Sequence, residues 1–98
     1  MPYGIVHHFK GGTREQFEAV SAKVDPADGS LVTGEIFEAS GPSEDGWTIM
    51  ALFESQSAWE RFRDDTLIPG LGEVGAAGFA APPDEISFDA VNVNHQLR

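Results

Sequence analysis

The sequence contains no cysteine, few basic residues and no long apolar run, and each of these absences excludes a class of protein. Without cysteine, the chain has no disulfides, no thiolate nucleophile and no cysteine-ligated metal site. Its 6 Lys and Arg residues stand against 16 Asp and Glu residues, which gives a formal net charge of −10. Nucleic acids and anionic membranes are bound by clustered Lys and Arg, so neither is an expected partner.

The N-terminal segment MPYGIVHHFKGG lacks the basic start and the long apolar core of a secretory signal. No apolar run reaches the roughly 18 residues that a membrane helix requires. We therefore expect a cytoplasmic protein whose negative charge favours solubility. The 98 residues fit a single domain spanning 1–98, and an apolar content of 41% is sufficient for one core.

Apolar and β-branched segments, bounded by glycine, proline and acidic turns, predict four strands. The predicted strands cover 3–9, 31–39, 47–54 and 85–94. The segment 40–46 is too short for a crossover helix, so the second and third strands should form a hairpin.

Two helices are predicted between these strands. Thr13–Gln16 reads as a capping box at the start of the first helix. The second helix should start at a cap provided by Ser55 or Ser57 and end at Pro69–Gly70. The segment 70–83 is rich in glycine and alanine and contains two prolines, so we expect a long, mobile loop there.

The order β-α-β-β-α-β indicates an α+β, ferredoxin-like fold, with a four-stranded antiparallel sheet and both helices on one face. The opposite face of the sheet is then bare. The side chains expected on it include Val6, His8, Met50, Leu52, Val91 and Val93. This set is too apolar to remain in water, which predicts a homodimer in which a second copy covers the face.

Three stretches of the sequence carry a family resemblance: FKGGTREQF at 9–17, ASGPSEDGW at 39–47 and FESQSAWERF at 53–62. Through them the chain resembles the dimeric α-β barrel superfamily, which includes antibiotic-biosynthesis-monooxygenase-like proteins and some polyketide cyclases. More closely, it resembles a group of short bacterial proteins within this superfamily, and the resemblance spans nearly the whole chain up to Leu71. It implies a homodimer whose sheets form a barrel, with a pocket between sheet and helices in each subunit.

Members of this superfamily oxidise or cyclise aromatic polyketides without metal or flavin, degrade haem, or have no known activity. The resemblance thus implies a cofactor-independent monooxygenase or cyclase acting on a hydrophobic aromatic metabolite, with no cofactor. Close members often carry a histidine at the place of Glu38 and another near Asn92, and this chain departs at both positions. The alternative is therefore a non-catalytic ligand-binding or structural homodimer, and haem degradation is a weaker possibility.

Two polar residues of the first strand are the candidate catalytic pair. Regular alternation places Tyr3 and His7 toward the helices, where His7 is a candidate base and Tyr3 a candidate to hold a ligand oxygen. The alternative roles are a buried, hydrogen-bonded histidine and a tyrosine packed at the end of the sheet. His8 points to the opposite face, so the two histidines cannot bind one metal from one side, and we expect His8 at the interface.

Large aromatic residues complete the candidate site, with Trp47 expected at the pocket mouth, where it would stack on a planar ligand. The alternative is that they form a plain hydrophobic core. The full set of candidate substrate-binding residues is Trp47, Phe37, Phe53, Trp59 and Phe62. Glu35 and Glu38 are expected to face opposite ways and so not to form a carboxylate pair. His95 is expected on a frayed terminus.

Overall fold

The computed structural model describes residues 1–94, and its four strands form one antiparallel sheet. The strands are Tyr3–Lys10 (β1), Glu35–Ser43 (β2), Gly46–Phe53 (β3) and Asp84–Asp89 (β4). The sheet order is β2-β3-β1-β4, so β1 and β3 are central and β2 and β4 are edges. The predicted ferredoxin-like α+β fold is confirmed. His95 lies outside the described residues.

The helical layer covers one face of this sheet. It consists of α1 (Arg14–Val24) and a second helical run made of α2 (Gln56–Phe62), a π-helical turn (Arg63–Leu67), α3 (Ile68–Val74) and a 3₁₀ turn (Gly75–Ala77). The predicted capping box begins α1: Gln16 N–H donates to Thr13 Oγ1 at 3.2 Å, and Thr13 N–H donates to Gln16 Oε1 at 3.0 Å. Within residues 1–94, no helix has the length and apolarity needed to cross a bilayer.

The second helical run starts at Ser55, one of the two predicted caps. Ala58 N–H donates to Ser55 Oγ at 3.1 Å. Ser57 lies inside the helix, and its hydroxyl is 3.0 Å from that of Ser55. The cap is therefore Ser55, whose backbone is extended, and not Ser57.

The prediction that this helix ends at Pro69–Gly70 is wrong. The Ile68 N–H donates to the Arg63 carbonyl, an i→i+5 bond of the π type, and the helix then continues to Val74. Pro69 has no N–H to donate, so a wider turn just before it removes the conflict that a proline creates inside a regular α-helix. Residues 70–77, predicted to be a mobile loop, are therefore helical.

The first strand of the β2–β3 hairpin lies four residues later in the sequence than predicted. We expect β2 over 31–39, whereas it runs over Glu35–Ser43, and only Glu44 and Asp45 form the turn. A Cβ on Gly46 would collide with the Phe9 carbonyl oxygen, so glycine is required where the chain turns back against β1. Pro42 is tolerated inside the strand because β2 is an edge, where a missing N–H costs little.

The core lies between the sheet and the helices, centred on Ile5, Phe53 and Trp59, which are 3%, 1% and 5% exposed. Phe53 meets Trp59 edge-on with ring centroids 5.5 Å apart, and its centroid is 5.8 Å from that of Phe62. The alternation of side chains along β1 and β3 correctly predicts that Ile5 and Phe53 face the helices. The aromatic cluster therefore fixes the helical run against the two central strands.

The outer face of the sheet carries two apolar rows that run from β2 to β4. One row is Phe37, Leu52, Gly4 and Phe88, and the other is Ala39, Met50, Val6 and Ile86. The prediction of Val91 and Val93 for this face is wrong, because β4 ends at Asp89 and both valines lie beyond it. Ile86 and Phe88 occupy the outer face instead and are 65% and 49% exposed.

Candidate functional site

A cavity of about 220 Å³ lies between the sheet and the helical layer. Its walls are mainly apolar and aromatic and come from the helix-facing sides of the strands, from α1 and from the second helical run. The aromatic residues that line it are Phe9, Phe17, Phe53, Trp59, Phe62 and Phe79. An apolar cavity with a few convergent polar groups is typical of small-molecule sites, and this volume suits a compact ligand.

His7 and Glu85 form a hydrogen-bonded pair in the cavity wall. His7 Nε2 is 2.7 Å from Glu85 Oε1, across neighbouring positions of β1 and β4. The imidazole is largely enclosed, with 12% of its side chain exposed, and its centroid is 5.6 Å from that of Trp59. When Nε2–H donates to the carboxylate, Nδ1 is left as an acceptor. The pair therefore has the arrangement of an oriented base.

Glu35 and Glu38 face the same side of β2, which corrects the prediction that they face opposite ways. Glu35 is paired with Phe53 and Glu38 with Ala51, and both partners line the cavity. A β-bulge between Glu35 and Phe37 adds one residue to the strand and so reverses the alternation. Both carboxyl groups belong to the cavity wall, on the opposite edge of the sheet from Glu85.

The surroundings of these two carboxyl groups favour their neutral forms. Burial raises the pKa of Glu35 to about 7, with further contributions from the charges of Glu38 and Asp25. Desolvation by burial, together with the charge of Asp25, also raises the pKa of Glu38. No Lys, Arg or His in the described part of the chain forms an ion pair with either one. At neutral pH, Glu35 is therefore present both as an acid and as a carboxylate.

Arg63, at the start of the π-helical turn, is the basic residue besides His7 that lines the cavity. Its Nε donates to Asp64 Oδ1 at 2.8 Å and its Nη2 to Asp64 Oδ2 at 3.2 Å. This bidentate pair holds the pKa of Asp64 below its usual range. The guanidinium is thus held by its own neighbour and is not directed at the Glu35–Glu38 pair.

Four of the seven predicted site residues line the cavity: His7, Phe53, Trp59 and Phe62. Tyr3 and Trp47 lie on the same side of the sheet but outside the cavity lining. Tyr3 packs against the core cluster, and Trp47 is 5% exposed, with its ring 5.2 Å from that of Phe17. The Trp47 Nε1–H is buried and finds no hydrogen-bond partner within the described residues.

Phe37 is the one predicted site residue on the wrong side of the sheet. It pairs with Leu52 on the outer face and is 39% exposed. The bulge that turns Glu38 toward the cavity also turns Phe37 away from it. Phe37 is therefore removed from the candidate substrate-binding set.

His8 faces away from His7, as the alternation predicts. Its Nε2 is 3.0 Å from Asp45 Oδ1 and its Nδ1 is 3.0 Å from Thr48 Oγ1, near the hairpin turn. His8 and His7 thus cannot act on one ligand. Within residues 1–94, no group of three or more His, Asp or Glu side chains is arranged to hold a metal ion.

Sequence reasoning missed three elements of the cavity: the carboxyl pair, Glu85 and Phe79. The bulge that creates the carboxyl pair has no local sequence signal, since Ile36 and Phe37 suit a regular strand. The pairing of Glu85 with His7 is set by the β1–β4 register, and that register depends on where β4 begins. Phe79 stacks on Phe9 with ring centroids 3.8 Å apart and closes one side of the cavity.

No protein-family profile matches the sequence, and no curated protein matches it significantly. Solved structures with the same fold include a dimeric ferredoxin-like protein from Thermobifida fusca. It is 16% identical, the match covers 90% of this chain and 90% of that chain, and the TM-score is 0.63.

Two oxygenases of Streptomyces have the same fold. SnoaB, a cofactor-independent oxygenase from Streptomyces nogalater, is 16% identical over 94% of each chain, with a TM-score of 0.62. The ActVA-Orf6 monooxygenase from Streptomyces coelicolor, in complex with nanaomycin D, is 18% identical, covering 98% of this chain and 92% of that chain, with a TM-score of 0.59. The predicted resemblance to the dimeric α-β barrel and monooxygenase-like proteins is confirmed at the level of the fold.

Proposed function

We propose that the chain binds a compact, hydrophobic aromatic molecule in the 220 Å³ cavity and oxidises it as a cofactor-independent monooxygenase. The observation that carries this proposal is the His7–Glu85 pair, held at 2.7 Å in the wall of a cavity lined by aromatic rings. A positioned base next to an apolar ring-binding space is what is needed to form a substrate carbanion.

The proposed reaction requires only the substrate, the base and O₂. His7 Nδ1 takes a proton from an activated ring CH₂ group, and Glu85 stabilises the imidazolium that forms. The carbanion gives its electrons to O₂ and forms a carbon–oxygen bond. The peroxide anion takes the proton back from the His7 imidazolium, which restores the base. The hydroperoxide then loses its remaining C–H proton while the O–O bond breaks, so the CH₂ group becomes a carbonyl, and the departing hydroxide and that proton leave as H₂O. Trp59 and Phe53 hold the ring beside the base.

The fold supports this class of reaction because two solved structures that share it are oxygenases, and one of them holds a ligand. Tyr3, predicted as a catalytic partner of His7, has no role in the proposed reaction because it does not line the cavity. A cytoplasmic location stays a prediction from composition.

We further propose that the working unit is a homodimer joined through the outer face of the sheet. The apolar rows on that face include Met50, Ile86 and Phe88, which are 44%, 65% and 49% exposed. Exposed apolar side chains on the face of a sheet are normally covered by a partner. A second copy presents the same two apolar rows, so the two outer faces can pack against each other. The dimeric ferredoxin-like protein of the same fold supports this assembly.

The two adjacent histidines provide a matched test. His7→Asn removes the base from the cavity, and His8→Asn alters only the outer face. We expect aromatic probes to raise the melting temperature of the wild type and of both variants. Oxygen uptake with an activated aromatic methylene compound should fall roughly 100-fold or more in His7→Asn and remain near wild type in His8→Asn.

Equal oxygen uptake in the two variants would contradict the proposed mechanism. Binding of the probes with no oxygen uptake by the wild type would instead favour the second candidate, a non-catalytic ligand-binding homodimer. That candidate is favoured by the resemblance, which implies that close members often carry a histidine at the place of Glu38.

A further inference from the structure

We propose that Glu35, which lines the cavity beside Glu38 on the same side of β2, is a hydrogen-bond donor to an acceptor oxygen of the bound molecule. The inference rests on the proposed function, because it assigns a role in the same cavity. It adds a specificity-determining residue to the His7–Glu85 pair.

The first support is the placement of Glu35. Glu35 lines the cavity from β2 and His7 lines it from β1, and β3 lies between these two strands. Two strand spacings separate β2 from β1, and Glu35 is in register with Tyr3, four residues from His7 along the sheet, so the two backbone positions are roughly 17 Å apart. Both side chains line the cavity from opposite ends, so a planar molecule that lies along it can direct an oxygen at one end toward Glu35.

The second support is the set of charges around Glu35. Glu38 faces it from β2 and Asp25 faces it from the C-terminal end of α1, so both nearest charged neighbours are acidic. Ser21 Oγ donates to Asp25 Oδ2 at 2.6 Å, which keeps that residue engaged as an acceptor. Arg63, from the second helical run, is paired with Asp64, and His7 is paired with Glu85. The neutral carboxyl group is thus the form that these neighbours favour.

The third support is chemical. A neutral carboxyl group has one O–H donor, whereas a carboxylate only accepts hydrogen bonds. With a pKa of about 7, Glu35 keeps its proton below neutral pH in a largely apolar space. A donor held there stabilises negative charge that develops on a ligand oxygen when His7 removes a proton at the other end of a conjugated system. In that step the proton moves from substrate carbon to His7 Nδ1, and Glu35 retains its own.

The test uses two probes that differ by one oxygen atom, 1-tetralone and tetralin. Their dissociation constants are measured by quenching of tryptophan fluorescence, since Trp59 lines the cavity, at pH values below and above 7. For the wild type, we expect the ketone to bind about three- to tenfold more tightly than the hydrocarbon below pH 7, a preference that disappears above it.

Three variants separate a donor from a merely structural residue. Glu35→Gln keeps an N–H donor at every pH, so its preference for the ketone should persist through the whole range. Glu38→Gln removes a neighbouring negative charge, which lowers the pKa of Glu35. The pH at which half of the preference for the ketone is lost should therefore be lower than in the wild type. Glu54→Gln, at an exposed position after β3, should behave as wild type.

The outcomes distinguish this inference from the proposed function. If both probes bind with a ratio that is independent of pH and unaffected by Glu38→Gln, the role of Glu35 is wrong and the cavity remains a ligand site. If neither probe binds, the cavity does not take small aromatic molecules, and both proposals are wrong.

Discussion

Glu35 and Glu38 point to the same side of β2, although residues three apart in a regular strand point to opposite sides. The bulge between Glu35 and Phe37 causes this, and the cavity acquires two carboxyl groups as a result. A protein that buries an acid without a cationic partner loses stability when that acid ionises. The arrangement therefore has measurable consequences even without a ligand.

The first prediction concerns Glu35→Gln and pH. The pKa of Glu35 is about 7 in the folded chain against an ordinary value of 4.5, so folding stability from this group is complete below pH 4.5 and is lost as the pH rises through 7. The amide does not ionise, so above pH 7 the variant should gain roughly 1 kcal/mol relative to wild type, a figure reduced for partial exposure.

Chemical denaturation below pH 4.5 and above pH 7 measures this difference. Glu18→Gln, at an exposed position on α1, is the control and should leave the pH dependence unchanged. The same pH dependence in Glu35→Gln and wild type would show that Glu35 is solvated like a surface carboxylate.

The second prediction compares two phenylalanines on opposite sides of the sheet. Phe53 is 1% exposed in the core, and Phe37 is 39% exposed on the outer face. Phe53→Ala should lower the free energy of unfolding by about 3–5 kcal/mol, because it leaves a cavity under Trp59. Phe37→Ala should lower it by much less, and urea unfolding at one fixed protein concentration compares the two. Similar losses would mean that the outer face is packed as tightly as the core.

The third prediction concerns the apolar rows of the outer face. Met50→Glu places a charge in the middle of these rows, where burial against a second copy would be costly. We expect sedimentation to show a dimer for the wild type and a monomer for the variant. Leu31→Glu, 47% exposed and outside the sheet, is the control and should stay dimeric. A monomeric wild type would remove the basis for the proposed assembly.

The fourth prediction separates the two serines at the start of α2. Ser55 accepts the Ala58 N–H at 3.1 Å, whereas Ser57 lies within the helix. Ser55→Ala should lower the melting temperature in line with a loss of about 1 kcal/mol, and Ser57→Ala should change it by less. A larger decrease in melting temperature for Ser57→Ala than for Ser55→Ala would show that the helix begins two residues later.

The fold and most of the core faces can be predicted from the sequence, because alternation and capping are local signals. The positions of Ile5 and Phe53 follow from the period of two in β1 and β3, and Thr13 and Gln16 spell their capping box. The position of His7 in the cavity wall is found in the same way.

The remaining features depend on contacts that no local pattern records. Pro42 stays in a strand because that strand is an edge, and the run through Pro69 stays helical because a π turn precedes it. The bulge after Glu35 is fixed by the pairing of β2 with β3. It places Glu38 in the cavity and Phe37 outside it, so one unpredicted irregularity accounts for two of the errors in the site.

The π-helical turn also restricts how the length of this chain can vary. Each residue of an α-helix advances the chain by about 100° around the axis, so the extra residue in a π turn rotates everything that follows. Gly70, in α3, packs so closely on Val24 that a Cβ there would clash with its methyl group. Deleting one residue from Arg63–Leu67 would restore regular helix but turn the Gly70 surface away from α1. Relatives that lack this residue should therefore join the two helices through a different pair of surfaces.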